Sequence, residues 1–161
     1  MIADAMLGKL ARYLRMLGID IEYKSDCTDN EIIKKALDEN RWVLTRDTIL
    51  IKRKEFVRGK IKFIRINSDF VHEQLQQIIQ YFKLNKHLNF SRCIVCNSNL
   101  VKVSKKDVED QVPEYVFLKQ DNFYKCKICN KIYWSGTHVD NMQKYFSKLN
   151  IPDNRSSSSN C

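Results

Sequence analysis

Cys93 and Cys96, and then Cys126 and Cys129, form two Cys-x-x-Cys pairs with residues 97–125 between them. Four thiols at such spacing suit a tetrahedral zinc ion. Asn97 and Asn130 follow the second cysteine of each pair. Asparagine tolerates the left-handed turn that a knuckle needs there better than most residues. The same residue type in the same place twice supports two equivalent knuckles. A thioredoxin-like redox site would use one pair ahead of a helix, and two disulfides would need an oxidising compartment. Zn²⁺ bound by the four thiolates would contribute directly to folding this module. With four thiolates closing the site, His138 is expected at the surface or facing a substrate. Cys27 and Cys161 have no partner set for a metal.

A second group is acidic. Asp4, Asp26, Asp29, Asp47 and Asp69 each stand within a few residues after a short apolar run. If those runs are strands of one parallel sheet, the acids gather beyond its carboxyl edge, where such folds place their sites. Converging carboxylates repel unless a cation lies among them. Mg²⁺ and Mn²⁺ are hard ions that take oxygen ligands, and a pair of them about 3.5–4 Å apart can clamp an in-line phosphoryl displacement. Lys9, Arg12 and Arg15 are placed to hold phosphates. Each acid also has a structural alternative. Asp29 suits the first turn of a helix, Asp47 can cap the helix after it, Asp26 and Asp69 can be turn residues, and Asp4 can cap.

The elements that must position these acids are readable from periodicity. Residues 1–3 form a very short strand. A helix is predicted over 5–17, with Leu7, Leu10, Ala11, Leu14 and Leu17 on one face and Lys9, Arg12 and Arg15 opposite; Gly18 stops it. Ile19, Ile21 and Tyr23 alternate as a strand. Thr28 and Glu31 make a capping box, so a helix follows to about residue 40, burying Ile32, Ile33, Ala36 and Leu37. Residues 42–45 form a strand, 48–57 a helix ended by Gly59, 61–66 a strand, and 71–84 a helix bearing Leu75, Ile78, Ile79 and Phe82. This strict alternation implies a parallel sheet with helices on both faces.

The 161 residues suit one compact domain with a small module, and 43% are apolar, enough for a packed core. A net charge of +9 favours a phosphate-rich partner, chiefly nucleic acid. There is no secretion signal and no apolar run near the roughly 20 residues that span a membrane. The expectation is a cytoplasmic protein with reduced thiols and no membrane partner.

The stretch from Asp4 to Gly18, Asp29-Asn30-Glu31-Ile32 and Leu44-Thr45-Arg46-Asp47 resemble, in order and spacing, the motifs of the PIN-like ribonuclease domain known as the Mut-seven C-terminal RNase family. The cysteine pairs and the segment Tyr133-Trp134-Ser135-Gly136-Thr137-His138 are similar to the second half of that family, so the resemblance covers residues 1 to about 145. It implies a PIN-like α/β/α sandwich that cuts RNA at an acidic, divalent-metal site. By motif, Asp4, Asp29 and Asp47 are its catalytic acids; Asp26 and Asp69 are additional candidates. Arg46 contacts phosphate or packs outward.

The expected organisation is therefore a PIN-like nuclease domain over 1–88, a β-type zinc ribbon over 89–146 and a flexible tail over 147–161. Lys125, Lys127 and Lys131 of the ribbon join Lys9, Arg12, Arg15 and Arg46 as candidate RNA contacts. Phe123, Tyr124, Tyr133 and Trp134 suit the ribbon's small core better than base stacking. The leading expectation is a Mg²⁺- or Mn²⁺-dependent ribonuclease. The alternatives are a non-catalytic RNA-binding adaptor and a DNA-directed nuclease. A protein partner or homodimer stays open.

Overall fold

The alternating runs of the first half form the parallel sheet that their pattern predicts. In a computed structural model of the chain, which describes residues 1–85, 87–89 and 91–149, four strands pair in the order β2-β1-β3-β4. They are β1 (Ile2–Ala3), β2 (Glu22–Tyr23), β3 (Val43–Thr45) and β4 (Phe63–Arg65). All three pairings are parallel, with Ile2 opposite Glu22 and Val43, and Val43 opposite Phe63. Residues 150–161, with the four serines at 156–159 and Cys161, lie outside the described residues.

Successive side chains on a strand face opposite sides of the sheet. Ala3, Leu44 and Ile64 pack under α1 (Gly8–Met16) and α4 (Val71–Phe82), whose buried stripes include Leu10, Leu14, Leu75, Ile78 and Ile79. Ile2, Val43 and Phe63 pack on the other face with α2 (Asp29–Asp38) and α3 (Lys54–Val57). The first half is thus three layers. Thr28 caps α2 in the predicted box with Glu31. Gly18 stops the first helix at φ +79°, and a Cβ there would meet the Ser91 hydroxyl at 2.8 Å.

Several boundaries differ from the sequence reading. Residues 5–7 form a 3-10 turn before α1, because Asp4 caps the chain there. The helix predicted over 48–57 is broken into a 3-10 turn, Leu50–Lys52, and the short α3, since Arg53 is extended between them. Leu37, expected in the buried stripe of α2, is exposed; Ile32, Ile33 and Ala36 already fill that face.

The second half is a three-stranded antiparallel sheet of β5 (Leu100–Val103), β6 (Phe123–Cys126) and β7 (Ile132–Trp134). A 3-10 segment, Lys106–Gln111, and α5 (Glu114–Lys119) lie between β5 and β6. Their Val108 and Val116 pack on Phe123, with Trp134 beside them. The last element among the described residues is α6 (Thr137–Ser147), which returns to the first half: Tyr13 stacks on Tyr145 at 5.6 Å, and Phe146 and Leu149 are buried in the core of α1 and α4. Residues 147–149, expected in a flexible tail, therefore belong to the packed structure. The apolar spacing of Met142, Tyr145, Phe146 and Leu149 along one helical face explains it.

Candidate active site and candidate metal centre

A parallel sheet has two distinct edges, and this chain uses them differently. Asp4, Asp26, Asp29, Asp47 and Asp69 all follow strand ends, at the carboxyl edge. Asp20, Ile21 and Arg41 precede strands, at the amino edge. Helix α1 runs back from the first edge to the second, carrying Lys9 near its start, Arg12 at its middle and Arg15 near its end.

Asp4 leaves the central strand β1 with its side chain 5% exposed. Its Oδ1 accepts the Met6 amide at 2.9 Å. Its Oδ2 accepts the Arg46 amide at 2.9 Å and the hydroxyl of Thr45. The Thr45 oxygen in turn accepts the Asp47 amide at 2.9 Å. Asp47 Oδ1 takes the amides of Ile49 and Leu50 at 2.6 and 3.1 Å, as the capping alternative predicts. Asp29 opens α2, and its side chain has no hydrogen-bond partner among the described residues. Gly8 lets Tyr23 lie across the start of α1: a Cβ there would fall 2.6 Å from the Tyr23 hydroxyl, which donates to the Ala5 carbonyl at 3.2 Å.

The outer acids are engaged with cations. Asp26 is exposed and pairs with Lys24 at 3.4 Å. Asp69 is exposed and pairs with the guanidinium of Arg46. Asp4 has no ion-pair partner among the described residues. Asp4, Asp29 and Asp47 share an edge, but the only set of three or more donors within 4.8 Å of one another among the described residues is the four cysteines.

Cys93, Cys96, Cys126 and Cys129 form that set. Sγ of Cys93 lies 3.5 Å from that of Cys129, and Sγ of Cys96 lies 3.4 Å from that of Cys126. Tetrahedral zinc with Zn–S near 2.3 Å requires sulfurs roughly 3.8 Å apart, so the donors fit. The knuckles are equivalent. Asn97 and Asn130 have φ +65° and +58°, and each returns its amide to the first cysteine carbonyl at 2.9 Å. The amides of Cys96 and Cys129 point at the sulfurs of Cys93 and Cys126, at 3.5 and 3.3 Å. Burial opposes ionisation of Cys126, but the Cys129 amide and the Ser98 hydroxyl outweigh it and pull its thiol below the ordinary range. Burial pushes Cys129 up, beside the other sulfurs. Several thiolates in one place require a cation, and the cluster can hold zinc. The Tyr133 hydroxyl sits 3.1 Å from the Cys93 sulfur.

The cluster is fastened to the amino edge, away from the acids. Arg15 is 3% exposed and donates to the carbonyls of Ile21, Ile94 and Val95 at 2.8–3.0 Å. Its sequence assignment to RNA is thus corrected: the guanidinium is buried between α1 and the first knuckle. Asn97 accepts the Ile21 amide at 3.2 Å and donates to Asp20 at 2.8 Å. Asp20 also receives the fork of Arg41 at 2.9 and 3.2 Å. Burial would raise the Asp20 carboxyl, but Arg41 and Asn97 hold it down at about 2.

Lys9, Arg12, Lys127 and Lys131 are exposed, whereas Lys125 is half-buried and bound to Gln111 at 2.9 Å. Phe123 is buried, and Tyr124, Tyr133 and Trp134 are half-buried. The sequence reading passed over Thr45, Ser98 and Asp20. Thr45 sat in the Thr-Arg-Asp triplet that flagged Arg46 and Asp47; Asp20 and Ser98 carried no signal in spacing.

Fold and sites define a small α/β protein with acids on one sheet edge and a four-cysteine ribbon clamped to the other. Residues 1–146 match the family model described as the Mut7-C RNAse domain, and the chain belongs to that family. No curated protein and no solved structure matches it. Membership points to nuclease activity with RNA as the substrate. Among the described residues no helix is long and apolar enough to cross a membrane.

Proposed function

We propose that the chain is a divalent-metal-dependent ribonuclease whose PIN-like domain, over 1–88, cuts RNA phosphodiester bonds at Asp4, Asp29 and Asp47. The observation that carries this reading is Asp4: a buried carboxylate without an ion-pair partner among the described residues, aimed by the Thr45 hydroxyl and the Arg46 amide at the edge where the other acids gather. Three hydrogen bonds fix the orientation of this carboxylate without neutralising it. The donor chemistry fits a hard cation such as Mg²⁺ or Mn²⁺. The three acids stand wider apart than one shared ligand sphere. Such an ion would supply Lewis acidity and charge neutralisation at the scissile phosphate. Lys9, exposed at the start of α1 beside the edge, and Arg12, exposed about one turn further along, hold flanking phosphates. Arg46 bridges the site to Asp69 and screens it.

The ribbon over 89–146 holds structural zinc. It sits at the opposite edge, so Lys127 and Lys131 extend the phosphate track and do not enter the chemistry. Reduced thiols of this kind suit a cytoplasmic protein.

A second reading is favoured by one observation: Asp4 and Asp47 both have capping work, which an RNA-binding adaptor would also need. The test is cleavage of labelled single-stranded RNA, beside the matching DNA, by zinc-loaded protein with Mg²⁺ or Mn²⁺. The expected result is RNA cleavage by the parent and none by Asp4→Asn or Asp47→Asn, with RNA binding retained. Tight binding that ignores added Mg²⁺ or Mn²⁺, with no cleavage and intact zinc, selects the adaptor. Cleavage of DNA in preference selects a DNA-directed enzyme.

A further inference from the structure

Three large apolar side chains stand in solvent at the acidic edge, each tied to one of its acids. Met6 donates its amide to Asp4, Ile49 donates its amide to Asp47, and Phe70 follows Asp69. Phe70 is 65% exposed. It immediately precedes α4 in extended backbone, and the buried stripe of that helix, Leu75, Ile78 and Ile79, makes no use of it. Its ring lies 5.9 Å from that of His72, so the two form an outward aromatic surface.

We propose that Phe70 is a stacking platform for an unpaired base beside the scissile phosphate, so that this edge selects single-stranded RNA. The inference rests on the acidic edge being the cleavage site. The contacts that place Phe70 there are continuous: Asp69 is its neighbour in sequence, Asp69 pairs with Arg46, and the Arg46 amide binds Asp4. A nucleotide at such an edge presents a phosphate to the cation side and a flat apolar base beyond it. Arg46, Lys9 and Arg12 answer the first, and Phe70 answers the second. Aromatic stacking is tolerant of base identity but needs a base that is not paired. Duplex RNA has none to offer. Met6 and Ile49 supply apolar contact to the same strand.

The test uses the full zinc-loaded chain. Phe70→Trp adds an indole at the platform, read as the fluorescence difference from the parent on titration with oligouridylate, an abasic ribose-phosphate polymer or duplex RNA. Quenching by oligouridylate alone is expected. Phe70→Ala should raise KM for single-stranded RNA by about 5- to 100-fold with kcat little changed, and Phe70→Trp should restore it. Equal response to the abasic polymer, or an unchanged KM in Phe70→Ala, overturns the proposal. A protein that cleaves but shows no quenching loses the platform and keeps the nuclease. One that shows quenching without cleavage keeps the platform and loses the nuclease. Quenching by neither RNA also overturns it.

Discussion

Thr45 donates its hydroxyl to the Asp4 carboxylate across the β1–β3 pairing. The same oxygen accepts the Asp47 amide at 2.9 Å, so one buried hydroxyl sets the relation of two acids that lie far apart in sequence. Thr45→Val keeps the shape and removes both bonds, leaving buried polar groups unmatched at a cost of about 1–3 kcal/mol. If the acids are catalytic, kcat should fall by roughly 10- to 100-fold, as misplacement of a reacting group does. Thr45→Ser should retain most of both. Urea unfolding and single-turnover cleavage check this, and wild-type cleavage by Thr45→Val would remove Thr45 from the site.

Arg15 joins α1 to the first knuckle through the carbonyls of Ile94 and Val95, and also donates to the Ile21 carbonyl beside β2. Arg15→Met fits the apolar surroundings of its stem but leaves those carbonyls unanswered, so a loss of about 2–4 kcal/mol is expected. Arg15→Lys should recover little, because an ammonium cannot reproduce the planar fork. Limited proteolysis should show new cutting between the halves. Stability equal to the parent in both variants would mean that the clamp lies elsewhere, in α6.

How far these arrangements could be read beforehand depended on the range of the signal. The alternation of strand and helix, the α2 capping box and the left-handed Asn97 and Asn130 follow from local spacing, and they are present. Arg15 shows the limit. By helical spacing it falls opposite Leu10 and Leu14, which reads as an exposed cation. It is buried because a segment some 80 residues later in the chain covers it, and periodicity within one helix carries no information about that partner. The same holds for Asn97, whose turn conformation was legible and whose bond to Asp20 was not. The acids were legible as an edge, while the distances between their oxygens depend on side-chain geometry and on what lies among them.

Lys9 and Arg12 remain exposed where Arg15 does not. Their removal should touch binding and leave folding alone. Lys9→Ala and Arg12→Ala should each lower the slope of log K against log salt for single-stranded RNA by about 0.7, the value for one phosphate contact. Stability should stay within about 0.5 kcal/mol of the parent. A slope unchanged in both would place the strand elsewhere on the surface.

Asp20 gives the clamp a pH signature. Its carboxyl, ordinarily at 3.8, is held at about 2 in the folded protein: burial opposes this, and the bonds from Arg41 and Asn97 outweigh it. A depressed carboxyl pKa stabilises the fold above its unfolded value and ceases to do so as pH falls through the folded value. The contribution of Asp20 should therefore be full above about pH 4 and lost towards pH 2. Asp20→Asn should be less stable than the parent at pH 6, and the gap should close as acid is added. A gap that stays constant to pH 2 would assign the loss to packing and not to charge.

Zinc removal should be felt well beyond the ribbon. The first knuckle supplies Ile94 and Val95 to Arg15 and Asn97 to Ile21, so its turn geometry depends on the cysteines while its outer face holds the sheet's amino edge. Without the ion, like-charged thiolates separate or take up protons, and the binding energy that folds such a module is lost. Chelated protein, and Cys96→Ser, should lose hydrogen-exchange protection in β5, β6 and β7 and also at Ile21 and the end of α1. Cobalt in place of zinc should give the thiolate-to-cobalt absorption of a four-sulfur site, at one ion per chain. If the cleavage test succeeds, stripped protein should lose activity in parallel with protection at Ile21, since α1 spans from that clamp to the acidic edge in about 13 Å. Loss of ribbon protection with Ile21 and cleavage both intact would mean that the two edges are independent, and that the ribbon serves only the strand it binds.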